Sequence, residues 1–219
     1  MRFEIMHVDY LALSHPDRDH YGGFVFLARN FTPSEFWTGG ATSSYESYVA
    51  MTDTVKASGA LMRQCNAASA PMTIGGVGVR CVGPLPNMDE VKDNNASMVM
   101  RIDYGRSSLL FPGDLEAKGE RELIASGADL RATILKVPHH GSHTSSSAPF
   151  IEAVHPVAAI VSLGYQNRFH FPAPEVIGRY RDEGARVLRT DEMGAVSAEI
   201  GGDGVSLRTF RGGEVGVRR

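Results

Sequence analysis

One run of nine residues, His15-Pro16-Asp17-Arg18-Asp19-His20-Tyr21-Gly22-Gly23, constrains this chain more than any other. It follows directly on the apolar segment Val8 to Ser14, which reads as a buried strand. Four potential metal ligands, His15, Asp17, Asp19 and His20, fall within six residues. Carboxylates crowded this closely repel one another unless a cation offsets their charge. The loop is therefore either a solvated, charged helix cap or a ligand loop whose side chains converge on one or two ions. Any fold for this chain has to deliver that loop at the end of a strand.

Two later segments repeat the arrangement of a buried strand ending in a polar cluster. Ser97 to Tyr104 and Ser108 to Phe111 read as a hairpin that ends at Pro112-Gly113-Asp114. Asp114 is then either the N-cap of a helix over Leu115 to Ser126 or a carboxylate bridging two metals. Ala132 to Val137 is an apolar strand that ends at His139-His140-Gly141-Ser142-His143. Five of the eight histidines lie in this cluster and the first one. Neighbouring imidazoles after a buried strand suit metal ligation, or else bond to backbone groups. Ligands of α/β folds collect at such strand ends.

The remaining pattern predicts strands at Glu35 to Thr38, Leu61 to Gln64, Met72 to Ile74, Val77 to Val82, Val157 to Leu163, Arg186 to Leu188, Ala195 to Ile200 and Val205 to Phe210. Helices are predicted at Phe26 to Arg29, Ser44 to Ala57, Ser147 to Val154 and Pro174 to Glu183. This order fits sheets flanked by helices in one domain over 1–219, with 210–219 a frayed tail. Weaker candidates for substrate contact are Asn95, Ser142 and Arg168. Asn95 either orients a substrate or shapes a turn. Ser142 lies near a helix N-terminus, where anions are favoured. Arg168 offers a cation for a phosphate.

Composition removes some function classes. A formal net charge of −3 gives no support to a broad nucleic-acid grip, so contact with DNA would have to be local or metal-mediated. No apolar stretch approaches the roughly 18 to 20 residues of a membrane span, and no leader is apparent, so the chain as given reads as soluble. Two cysteines, Cys65 and Cys81, lack metal-site spacing and either pair or stay free.

The segment His15 to His20 resembles the signature of the metallo-β-lactamase superfamily, H-x-H-x-D-H followed by Gly-Gly. Asp17 stands where the second histidine is usual, the form seen in the metallo-β-lactamase-like domain of the ComEC DNA-uptake (competence) family. Three more segments fit that family in order: Asn94-Asn95-Ala96-Ser97 leading into Leu110-Phe111-Pro112-Gly113-Asp114-Leu115-Glu116, then Leu135-Lys136-Val137-Pro138-His139-His140-Gly141-Ser142, then Asn167-Arg168-Phe169 with Pro172 and Glu175-Val176. The resemblance implies an α/β fold, the αββα sandwich of mixed sheets flanked by helices. Family members have further strands before the first motif, so the chain is expected to be N-terminally truncated and to lack those initial strands.

For the site, the resemblance implies two divalent ions. His15 and Asp17 would hold one, Asp19 and His20 the other, with Asp114 bridging. His140 matches the histidine-glycine ligand position, with His139 a ligand or its neighbour. Asp19 and Asp114 would be the catalytic carboxylates. Carboxylate-rich sets favour manganese, with zinc the other choice. No histidine lies between Gly39 and Gly83, where the wider superfamily has its next ligand, so one metal position is expected to be weakly held. The implied activity is a nuclease acting on DNA during uptake. The implied partners are DNA and the membrane channel of a parent protein, with this domain facing outward into the periplasm. The alternatives are a lactonase, a small-phosphodiester hydrolase, or a non-catalytic fragment of the channel.

Overall fold

Adjacent side chains in the strands point to different cores, and this sorts the molecule into layers. The computed structural model describes residues 7–86, 94–201 and 204–217, with the backbone alone for 215–217. Strand β1 (Tyr10–Leu13) leads through helices α1 (Arg18–Tyr21) and α2 (Phe24–Phe31) to β2 (Glu35–Thr38). Helix α3 (Glu46–Ala57) then returns the chain to β3 (Leu61–Gln64). These strands form a parallel sheet in the order β1-β2-β3. Among the described residues β1 is an edge of that sheet.

A second, seven-stranded sheet follows. Strands β4 (Met72–Ile74), β5 (Val77–Gly83), β6 (Val99–Tyr104) and β7 (Ser107–Phe111) run antiparallel to one another. Helix α4 (Ala117–Ala125), β8 (Ile134–Lys136), α5 (Ala148–Val154), β9 (Ala158–Val161), α6 (Pro174–Asp182) and β10 (Arg186–Arg189) continue the sheet in parallel. The order is β10-β9-β8-β7-β6-β5-β4. After the short α7 (Thr190–Met193), strands β11 (Val196–Gly201), β12 (Gly204–Thr209) and β13 (Gly213–Val217) form an antiparallel sheet.

The period-2 alternation of strands builds the sandwich. Phe36 packs with Met51 and Val55 beneath α3, while its neighbour Trp37 packs with Met98, just before β6, on the other side. Leu135 joins Phe150, Ile151 and Tyr180 under the helices, while Ile134 joins Leu188 and Leu207 on the other side. Strands β8 and β9 are therefore apolar on both faces, which is why they read as continuous apolar runs. The layers are helices, sheet, sheet, helices, as the motif resemblance implied.

Two expectations need correcting. The helix predicted from Leu115 starts at Ala117, because Asp114 and Leu115 turn inward, and the side chain of Asn95 takes over the capping role. The terminal segment expected to fray contains β13, paired with β12; the hairpin closes where Gly212 N–H donates to Thr209 Oγ1 at 3.0 Å. Arg218 and Arg219 lie outside the described residues. No helix among the described residues is long and apolar enough to cross a membrane.

Candidate metal centre

The carboxyl ends of β1, β7 and β8 meet at one place, and the three polar clusters of the sequence meet with them. Gly113 makes the junction possible. Its φ of +62° lies in the left-handed region, and a Cβ there would sit 2.8 Å from the Cβ atoms of both Ser14 and Ser97. Only glycine lets the β7 loop pass this close to the β1 loop. The junction is tied by Met98 N–H donating to Ser14 O at 2.8 Å and Asp114 N–H donating to Ser97 Oγ at 3.2 Å.

At the centre sits Asp114, almost fully buried. Its Oδ2 faces three imidazole nitrogens: Nε2 of His20 and of His140 at 3.3 Å, and Nε2 of His15 at 3.9 Å. All three Nε2 atoms are buried and have no hydrogen-bond partner. Exposed Asp19 approaches His140 Nε2 at 3.3 Å and His20 Nε2 at 3.7 Å, and exposed Asp17 approaches His15 Nε2 at 3.6 Å. Two ligand-competent groups result, His15-His20-Asp114 and Asp19-His20-His140, sharing His20.

The far nitrogens explain the orientation of the rings. His140 Nδ1 lies 2.7 Å from the Ser162 carbonyl, which can only accept, so that nitrogen carries the proton and Nε2 is left with its lone pair. Ser14 Oγ lies 3.1 Å from His15 Nδ1 and 3.2 Å from His20 Nδ1. One hydroxyl has two acceptor lone pairs and serves both rings in the tautomer that frees Nε2. His139 and His140 hold successive left-handed conformations, φ +46° and +53°, uncommon for residues with a Cβ and typical of strained functional loops.

Electrostatics follow from this packing. Burial alone would raise the Asp114 carboxyl, but His140, His20 and the Lys136 ammonium outweigh it and hold the group well below the usual carboxylate range. Burial and the neighbouring His20 push His15 down to about 4, against the pull of Asp114, Asp17 and Asp19. Burial also disfavours the charged form of His140, but Asp114 beside it wins and raises its pKa. Three unpartnered imidazole lone pairs and three carboxylates around one point form a donor set that suits divalent cations. These residues fit the metals that the fold implies.

The remaining candidates divide. His139 lines the same cavity, but its Nδ1 lies 3.3 Å from Glu116 and 3.2 Å from Thr144, and it belongs to neither ligand group. Asn95 is buried and its Oδ1 accepts the N–H of Gly119 at 2.9 Å and of Glu116 at 3.2 Å, so it caps α4. Ser142 is buried and bonds Thr144 within its own turn. Arg168 does reach the site. It lines, with Arg18, Asp19 and Asp114, a cavity of about 690 Å³. Sequence reasoning missed Ser14, Lys136, Glu116 and Thr144 as supports of the cluster. The position of Lys136 two residues before Pro138-His139-His140 was the available signal.

Comparison with known proteins bears on the fold and the family. Residues 1–165 match the Metallo-beta-lactamase superfamily. The chain is 35% identical over 208 residues to "Competence protein ComA" of Neisseria gonorrhoeae, covering 94% of this chain and 27% of that protein. It is 29% identical over 204 residues to "Recombination protein 2" of Haemophilus influenzae, covering 93% of this chain and 24% of that protein. The chain thus spans about a quarter of the length of these relatives. Among solved structures, Igni18, a metallo hydrolase from Ignicoccus hospitalis, superposes with a TM-score of 0.53 at 18% identity, over 83% of this chain and 75% of that one. The diiron β-hydroxylase CmlA from Streptomyces venezuelae superposes with a TM-score of 0.55 at 12% identity, over 84% of this chain and 44% of that one. At such identities these two bear on the fold alone. The chain belongs to the metallo-beta-lactamase superfamily and is similar to part of a competence protein.

Proposed function

We propose that this chain is a manganese-dependent phosphodiesterase that cuts DNA, working as the hydrolytic domain of a larger DNA-uptake protein. The observation that carries this reading is the convergence of three unpartnered Nε2 atoms on Asp114 at one wall of an open cavity that also holds two arginines. The similarity to competence proteins supplies the substrate class, and the share of those proteins that it spans supplies the larger parent.

In this reading His15 and Asp17 would hold one ion and Asp19, His20 and His140 the other, with the Asp114 carboxylate available to both. Bound there, the ions would supply an activated water and offset negative charge at phosphorus. The chain's own residues do the rest. Ser14 and the Ser162 carbonyl fix the imidazoles. Exposed Asp19, at the cavity wall, accepts the proton released as water attacks. Arg18 and Arg168 meet the phosphate from the same cavity. Three carboxylates make the set harder than a histidine-rich one, which favours manganese over zinc.

The net charge of −3 and the exposed Asp17 and Asp19 favour a second reading, a hydrolase of small phosphodiesters or lactones. One assay covers both readings. Purified chain with manganese is offered single- and double-stranded DNA, bis-p-nitrophenyl phosphate and a simple lactone. Cleavage of DNA that Asp114→Ala abolishes supports the proposal. Turnover of the small substrates with DNA left intact supports the second reading, and DNA cleavage undiminished in Asp114→Ala overturns the site.

A further inference from the structure

A loop on the far wall of the cavity carries more exposed aromatic surface than its packing requires. Phe169 is 60% exposed, although it lies in the lining of the cavity. Its ring stacks on Phe171, with centroids 5.6 Å apart and planes 20° from parallel. The Arg168 guanidinium rests 4.7 Å from the centroid of Phe169. Phe171 in turn meets His139 edge-on at 5.7 Å, and His139 is adjacent to the metal-facing His140. A line of rings therefore runs from the cavity mouth to the centre.

The ledge is built rather than loose. The Asn167 carboxamide closes the loop on itself: its Oδ1 accepts Phe171 N–H at 3.0 Å, and its Nδ2 donates to Phe171 O at 2.8 Å. Gln166 and His170 are held at φ +49° and +57°, conformations a side chain adopts only when its surroundings dictate them. Beyond the loop, Ala173 N–H donates to Gly141 O at 2.8 Å, and a Cβ on Gly141 would meet the Pro172 ring at 2.6 Å. The aromatic loop is thereby fixed to the histidine loop of the centre.

Rigid aromatic faces beside a phosphate-handling site recognise planar rings, and every nucleobase has such a face. An exposed arginine that rests on one of these rings is free to swing to the adjoining phosphate. A base bound here would lie beside the centre, with its own phosphate pointing inward along His139. We infer that Phe169, backed by Phe171 and flanked by Arg168, is a base-stacking ledge that holds an unpaired nucleobase next to the phosphodiester to be cut, so that the preferred substrate is single-stranded. This inference rests on the phosphodiesterase reading for its substrate.

The test uses the manganese-loaded chain and two readouts. The first compares kcat/KM for an oligothymidylate with that for an abasic chain of the same number of phosphodiesters, in wild type, Phe169→Leu and Phe169→Trp. The second follows quenching of a single-stranded oligonucleotide carrying 2-aminopurine, with calcium in place of manganese to prevent cleavage. The expected result is that Phe169→Leu lowers the preference for thymidylate over the abasic chain by roughly tenfold, that Phe169→Trp restores it, and that quenching falls only in Phe169→Leu. An unchanged preference, or equal quenching in wild type and Phe169→Leu, overturns the ledge while leaving hydrolysis intact. Quenching that depends on Phe169 without any cleavage keeps the ledge and overturns hydrolysis. Neither quenching nor cleavage by wild type overturns both.

Discussion

Lys136 and the imidazoles divide Asp114 between them: the ammonium lies 3.3 Å from Oδ1, while His15, His20 and His140 all face Oδ2. Lys136 also donates to the Gly113 carbonyl at 3.1 Å, and burial pushes its pKa down against the pull of Asp114. One carboxylate oxygen is thus held by the chain and the other left for the centre. Removing one partner of a buried ion pair strands the other charge, at a cost of about 3 kcal/mol or more. Lys136→Met is expected to lose about that much stability in chelator, and clearly less with manganese, whose charge offsets the stranded carboxylate. Urea unfolding under both conditions checks this. Equal losses with and without metal would show that Lys136 serves only packing.

Gly113 separates two costs that glycine substitutions usually mix. Gly113→Ala meets an unfavourable φ and also contacts at 2.8 Å from two sides; Gly59→Ala meets an unfavourable φ of +88° in open space. Gly59→Ala is expected to cost about 1 kcal/mol and Gly113→Ala about 2 kcal/mol more, because the β1 and β7 loops must move apart. Gly113→Ala should also weaken metal binding, which isothermal titration with manganese measures. A Gly113→Ala protein as stable as Gly59→Ala would contradict the close approach.

Glu120 lies wholly buried beneath the start of α5, accepting N–H from Ser146 and Ser147. Burial raises its pKa, and the hydrogen bonds from Ser147 and Ser146 only partly offset this. A carboxyl whose folded pKa lies above its unfolded value contributes stability that is full below about pH 4.5 and is lost as pH rises through the folded pKa. The stability of wild type relative to Glu120→Gln should therefore increase as pH falls from 7 towards 4.5. Paired urea titrations at the two pH values read this difference, in which other groups cancel. A relative loss on acidification would reverse the assignment.

Much of this was legible in the chain because strand ends and ligand loops announce themselves locally. Phe36 and Trp37 alternate between two cores, and the β2 and β3 ranges are those the pattern predicts. His15, Asp17, Asp19, His20, Asp114 and His140, the ligand candidates of the sequence motifs, lie around one point. What was not legible depends on partners distant in sequence. Asn95 reads as orienting a substrate or shaping a turn until the first turn of α4, with the Gly119 N–H, is placed beside it. The motif favours His140 and leaves His139 as a ligand or its neighbour; Glu116 and Thr144 draw the His139 ring aside, while the Ser162 carbonyl aims the other. Strand β13 depends on pairing with β12, which the glycine-rich tail does not advertise.

Metal content tests the centre most directly. Wild type and Asp114→Ala are each stripped with chelator, refilled with manganese or zinc, desalted and measured by elemental analysis, with circular dichroism to show that both are folded. About two manganese ions per wild-type chain is the expected result, falling to one or none in Asp114→Ala. A folded wild type that retains no metal, or an Asp114→Ala protein that retains the full complement, would contradict a centre built around Asp114.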